Sequence, residues 1–174
     1  MKQLWSPWRS QYIHSLSTEQ SDGGCFLCHA VQSPPADDAA NYVVFRNTLC
    51  FVIMNRYPYN SGHLLVAPYR HIGDLTALDR AESHALIETV QLAIEVLRQT
   101  HTPHGFNVGT NLGRTAGAGL PDHVHVHIVP RWNGDTNFMP ILAEVKVISE
   151  FLVEEQRKLS EAFRHAVSQR PTRD

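Results

Sequence analysis

The sequence predicts a single α+β domain: about five antiparallel strands, a long amphipathic helix and a C-terminal helix. Three observations carry that prediction. Short β-rich runs between residues 42 and 67 are separated by turns, whereas a parallel crossover needs a dozen or more residues. A 3.6-residue apolar period runs from Leu78 to Leu97. Strict alternation of histidine with β-branched residues marks a strand over His123–Val129. The length, 174 residues, suits one domain with a substantial core.

The elements follow in order. The first forty residues read as irregular, with Trp5, Pro7, Trp8, Tyr12 and Ile13 as large groups that need a docking surface. Asp22-Gly23-Gly24 is turn chemistry, and Ser33 to Asp38, with two prolines, reads as a surface loop. Tyr42–Phe45, Leu49–Met54 and His63–Ala67 are strands, punctuated by Arg46-Asn47-Thr48 and by Pro58 to Gly62. Asp74 or Thr76 caps the long helix, whose apolar positions are Leu78, Ala81, Ala85, Leu86, Val90, Ala93 and Leu97. Pro103 and Gly105 end it. Phe106-Asn107-Val108 and His123–Val129 supply two more strands across a glycine-rich connection. The last helix is expected over Val147–Val167, with Phe151, Leu152, Leu159, Phe163 and Val167 apolar, and the helices are expected on one face of the sheet.

Composition excludes several function classes. A formal charge of −2 lacks the basic excess of a dedicated nucleic-acid binder. No run of 18 apolar residues predicts a membrane span, and the opening residues lack a signal peptide's apolar core. Three cysteines do not make a disulfide framework, which points to a reducing cytoplasm. The one unusual count is 11 histidines.

Three of them form the ladder His123-Val124-His125-Val126-His127. On a strand all three point one way, roughly 6.6 Å apart, while Val124, Val126 and Ile128 face a core. Imidazole is a nucleophile, a general acid or base, or a metal ligand. The preceding Asn111 to Gly119 is glycine-rich, and turn N–H groups in such a segment cradle anions. Alone it is equally a flexible hairpin connection; beside the ladder it suggests phosphate held against imidazole, hence phosphoryl or nucleotidyl transfer. Cys25-Phe26-Leu27-Cys28 has the spacing of half a zinc site, or is a pair of reduced thiols. Cys50 and Met54 read as core. His14, His29, His84, His101, His104 and His165 read as surface residues.

The ladder matches the His-φ-His-φ-His-φ-φ motif, where φ is apolar, and the chain resembles the histidine triad (HIT) superfamily from about Cys25 to Trp132. Asn55-Arg56, Gly62 to Val66 and Pro68-Tyr69-Arg70-His71 extend the likeness. Leu4 to Arg9, Ala116 to Gly119 and Val129 to Phe138 resemble the bacterial branch of HIT hydrolases and diadenosine tetraphosphate phosphorylases.

The resemblance implies a HIT-like fold divided into an N-terminal extension (1–40), a catalytic core (41–132) and a helical extension (133–174). It implies cleavage of dinucleoside polyphosphates through a nucleotidyl intermediate on His125. His127 would lie near the transferred phosphate or leaving group, and His63 would orient the ladder, unless His63 is simply a satisfied core histidine. Asn111, Gly117 and Gly119 would hold phosphate oxygens. Asn55 would contact the ribose, or is a turn former after its strand. Zinc would be structural, on Cys25, Cys28, His71 and His123. HIT proteins are usually homodimers, and the long helix offers one face, although its stripe is equally explained by its own sheet. Trp132 and Phe138 suit a substrate rim or a dimer contact.

Gly119-Leu120-Pro121-Asp122 stands where better-known branches carry Gln-Ser or Gln-Thr, so a phosphate-side hydroxyl is missing. A purine nucleoside phosphoramidase is the second enzymatic reading. A non-catalytic, zinc-stabilised nucleotide-binding protein is the third, though binding alone needs no central nucleophile.

Overall fold

A computed structural model describes residues 24–135 and 152–170. The tryptophan-rich opening, His14, the stretch Thr136 to Phe138 and residues 147–151 of the expected last helix lie outside the described residues. Five strands, β1 (Val43–Arg46), β2 (Cys50–Met54), β3 (Leu64–Pro68), β4 (Gly105–Gly109) and β5 (Val126–Arg131), form one sheet in the order β1-β2-β3-β5-β4. Every neighbouring pair is antiparallel. The chain therefore builds a meander only through β3. It then crosses by helix and places β5 between β3 and β4.

Among the described residues, three helices cover the sheet: α1 (Phe26–Gln32), α2 (Arg80–His101) and α3 (Leu152–Gln169). Among the described residues, no helix is long and apolar enough to cross a membrane. Alternation along the strands sorts the core into two clusters. Val52, Met54, Leu64, Val66, Val126 and Ile128 face α2 and α3 with Leu86, Val96, Leu97, Leu159 and Phe163. Val43, Phe51, Ile53, Leu65 and Ala67 form the other face, covered by Leu27 and Ala30 of α1. The helices thus lie on both faces, not one. The reason is local: the residues around the cysteine pair, expected to be irregular, form a helical turn whose N-cap sulfur, Cys25 Sγ, accepts from Cys28 N at 3.4 Å.

Arg46 ties this short helix to the sheet. Its guanidinium donates to the carbonyls of Ala30 (2.7 Å) and Val31 (3.3 Å) at the end of α1, and forks onto the Asp38 carboxylate. The cap of α2 also differs from the expectation. Asp74 caps the 3-10 turn Leu75–Ala77, and the long helix starts at Arg80, capped by Asp79 in a reciprocal box with Glu82. Glu82 accepts from Arg70 as well, which holds its carboxyl down to about 2.

Helix α3 docks on β1 through Phe163, stacked on Phe45 with centroids 5.2 Å apart, and through Gln156 Nε2, which donates to Val43 O at 2.8 Å. Val167, expected on the apolar stripe, is exposed at the end of the helix. Cys50 and Met54 are buried as expected. Phe163 is fully buried, so Phe163→Ala is expected to lower stability by about 3–5 kcal/mol, read as a drop in the urea midpoint with the slope unchanged. A loss under 1 kcal/mol would show that α3 contributes little to the core.

Candidate active site and metal centre

Only His127 of the ladder lies inside β5. It pairs with Leu65 of β3 and Gly109 of β4. His123 and His125 occupy an extended lead-in, because the flanking strands stop offering backbone partners there. Pro68, the last residue of β3, has no N–H to continue the ladder. Val124 N instead donates to Ile72 O at 2.6 Å, and the Thr110 hydroxyl donates to His125 O. The lead-in is nonetheless well buried: His123 is 0% exposed, Val124 3% and His125 7%.

Backbone groups determine which nitrogen of each imidazole carries the proton. A carbonyl only accepts, so His125 Nδ1, 2.8 Å from His123 O, is the protonated nitrogen, and Nε2 keeps its lone pair. A backbone N–H only donates, so His63 Nδ1, 3.1 Å from Tyr59 N, is an acceptor. His63 Nε2 then carries hydrogen and donates to His127 Nδ1 at 3.0 Å. In neutral His127 this leaves Nε2–H as a donor. The rings are adjacent: His125 and His127 have centroids 4.9 Å apart, His63 and His127 5.2 Å, with Tyr59 stacked against His127 at 6.2 Å.

Burial lowers the pKa of His125. It lowers that of His127 to about 4, with the neighbouring His125 adding to the effect. Both imidazoles are therefore neutral near pH 7. The centre presents an unprotonated nitrogen next to a neutral N–H donor, which suits attack on phosphorus and stabilisation of a phosphate oxygen.

The other predicted residues sort as follows. His63 is 2% exposed and joined to the ladder. Asn55 lies beside it: Nδ2 is 3.3 Å from His63 Nδ1, and Oδ1 accepts from Tyr57 N at 2.9 Å, a turn-forming contact. Asn111 Nδ2 donates to Gly117 O at 3.4 Å. Gly117, with φ +89°, closes the 3-10 turn Arg114–Ala116, and its N–H donates to Arg114 O. Gly119 follows in the same loop, half-buried, with Leu120 packed on the cluster around α1.

Cys25, Cys28, His71 and His123 converge, with their Sγ and Nδ1 atoms all within 4.8 Å of one another. The four could hold a metal ion. His123 Nδ1 lies 3.3 Å from Cys25 Sγ and 3.5 Å from Cys28 Sγ, and His71 Nδ1 lies 3.2 Å from Cys28 Sγ. Tetrahedral zinc, with ligand bonds of about 2.0–2.3 Å, needs sulfur–nitrogen edges of about 3.5 Å, so the donor set fits. His123 Nε2 donates to Pro68 O at 2.9 Å, which turns the lone pair of Nδ1 toward the sulfurs. Burial pushes the Cys25 thiol up to about 11, so a metal must displace a proton there.

Sequence reasoning missed several groups. The Pro68 and His123 carbonyls and the Tyr59 amide are backbone atoms with no residue-type signal. His101, expected at the surface, has a side chain only 4% exposed and paired with Glu155 at 3.1 Å. Its place in the apolar period of α2, four residues after Leu97, was the available signal.

An antiparallel sheet with helices on both faces, carrying three clustered histidines beside a Cys₂His₂ set, defines a histidine-triad architecture. The HIT domain model matches residues 37–134, and the chain belongs to the HIT family. It is 40% identical over 162 residues to "AP-4-A phosphorylase" from Mycobacterium tuberculosis (strain ATCC 25618 / H37Rv), spanning 92% of this chain and 83% of the relative. A Zn-bound histidine triad family protein from Mycobacterium smegmatis shares the fold, with a TM-score of 0.66 at 24% identity over 84% of this chain and 98% of that one. A hypothetical histidine triad nucleotide-binding protein from Sulfolobus tokodaii superposes with a TM-score of 0.63 at 27% identity over 83% and 92% of the two chains.

The tautomer assignment is directly measurable. Imidazole ¹⁵N shifts should show His127 as a neutral Nε2–H tautomer from pH 8 to about pH 5. The unfolded chain protonates this group near 6.5, against about 4 when folded. Its neutral burial therefore stabilises fully above pH 6.5 and progressively less as pH falls toward 4. Titration near 6.5 would contradict the assignment.

Proposed function

We propose that this HIT-family enzyme cleaves dinucleoside polyphosphates of the diadenosine tetraphosphate type and passes the nucleotidyl group to inorganic phosphate by way of His125. The observation that carries the reading is the pair of backbone-set tautomers, His125 with a free Nε2 and His127 with an Nε2–H donor. In the first step His125 Nε2 bonds to the α-phosphorus. The bond from phosphorus to the bridging oxygen breaks, and its electron pair departs on the polyphosphate, which from diadenosine tetraphosphate is ATP. In the second step a phosphate oxygen bonds the same phosphorus, the P–N bond breaks, its electrons return to Nε2, and ADP leaves. Two easier displacements replace one difficult one. His127 donates to a phosphate oxygen, His63 orients His127, and Asn111 with the Gly117–Gly119 loop borders the phosphates. Asn55 steadies His63 and lies on the nucleoside side.

The likeness to the mycobacterial AP-4-A phosphorylase favours phosphate over water as acceptor. The leaving group favours an anhydride over a phosphoramidate. A departing polyphosphate is a stable anion, whereas a departing amine must be protonated, and His127, with a pKa of about 4, is not an imidazolium near pH 7. Gly119-Leu120-Pro121-Asp122, without a phosphate-side hydroxyl, agrees with that preference.

The metal in this reading is zinc, held by Cys25, Cys28, His71 and His123. With all four positions filled by protein it is structural, pinning α1 to the lead-in of β5. Thiolate ligands suit a reducing cytoplasm. A homodimer completes the reading, with exposed Ile87 on α2 and Val108 on the edge strand β4 as candidate contacts.

Incubation with diadenosine tetraphosphate and phosphate should yield ADP and ATP; AMP and ATP would make water the acceptor, and no turnover would refute the reading. His125→Ala should reduce turnover by roughly 10⁴-fold or more with the fold intact, and a variant retaining activity would exclude His125 as nucleophile. Elemental analysis after dialysis should find about one zinc per chain, and Cys28→Ser should lose it; a metal-free, fully stable protein would contradict the structural role.

A further inference from the structure

Helix α3 lies outside residues 37–134 matched by the HIT domain, yet it delivers a carboxylate to the loop that carries His63. Glu155 is 2% exposed. Its Oε1 accepts from Gly62 N at 2.5 Å and lies 3.1 Å from His101 Nε2. Gly62 has φ +74°, and a Cβ there would meet Leu97, Pro130 and His101 side chains at 3.0–3.3 Å. The loop is thus wedged against the end of α2 with only its N–H turned to Glu155. A second clamp holds the loop two residues earlier: Asn60 Nδ2 donates to Pro130 O and to the Asp135 carboxylate, both at 2.9 Å.

Stability alone does not account for this carboxylate. Burying a polar group adds little net stability, and an apolar residue of similar volume in its place is often as stable or more so. Leu159 and Phe163, both fully buried, already dock the helix one and two turns further on. What Glu155 adds is position. Gly62 directly precedes His63, the next residue, Leu64, opens β3, and His63 Nε2 meets His127 Nδ1 at 3.0 Å. A slack loop would let the His63 ring shift away from the Tyr59 amide, and the contact with His127 would lose its single direction.

We propose that Glu155 is a positioning residue of the histidine centre, holding Gly62 so that His63 keeps His127 in its Nε2–H tautomer. The catalytic consequence rests on the role given above to His127, whereas the tautomer itself is observable without turnover. The test compares Glu155→Leu and Glu155→Gln in the full chain, with kinetics on diadenosine tetraphosphate and imidazole ¹⁵N shifts.

Leu removes the acceptor, so kcat should fall roughly ten- to a hundred-fold with KM within about twofold, and His127 should show mixed tautomers. Gln keeps an oxygen acceptor, so it should restore the single tautomer and bring kcat to within about threefold of the parent protein. If Leu fails to fold, Glu155→Asp, one methylene short of Gly62, should give the same two losses. A folded Leu or Asp variant with the parent tautomer and kcat would overturn the proposal, as would a variant that lost only thermal stability. Absence of turnover in the parent protein would refute the functional reading instead, and the tautomer comparison would still decide the role of Glu155.

Discussion

The direction of the hydrogen bonds made by backbone groups to three imidazoles is the constraint on which the rest of this molecule depends. Histidine is chemically ambiguous: either nitrogen can carry the proton, and near neutral pH both can. Here a carbonyl faces His123 Nε2, another faces His125 Nδ1, and an amide faces His63 Nδ1. Each removes one choice. The consequence is one imidazole aimed at two sulfurs, one with a free nucleophilic nitrogen, and one, His127, reached through His63, with a donor. The three bonds that make these choices come from neutral backbone groups, which fits a chain whose net charge is only −2.

Because those backbone groups belong to sheet and turns, the fold and the chemistry are coupled at specific points. Pro68 ends β3 and supplies the carbonyl that orients His123; the same proline, lacking an N–H, releases the ladder from the sheet. His123 then serves both centres, with its ring toward the cysteines and its carbonyl toward His125. Loss of order around α1 would reach His125 through a single residue. Burial adds the second requirement, since desolvation lowers the pKa of both His125 and His127 and keeps the pair neutral.

The sheet, the long helix and the ladder were legible because side-chain periodicity reports burial: Val126 and Ile128 do face the helices, as alternation requires. The cysteine pair was legible by spacing, and its two histidines only by family likeness. Three features were not. Strand order was hidden because short connections say nothing about what is later inserted beside β3. Helix α1 was hidden because its cap is a cysteine sulfur and its end is closed by Arg46, fifteen residues from Val31. The burial of His101 was hidden because its partner, Glu155, lies 54 residues away on another helix. Residue type announced the chemistry of this site, whereas backbone direction, which no residue type encodes, determines what each histidine does.

The central claim is that Nε2 of His125 carries the nucleotidyl group between donor and acceptor. Stereochemistry at the α-phosphorus tests it most directly, using a chiral α-phosphorothioate analogue of diadenosine tetraphosphate with inorganic phosphate as acceptor. Attack by His125 and then by phosphate inverts the centre twice, so the account predicts overall retention of configuration. Overall inversion would mean a single direct displacement by the acceptor and would contradict it.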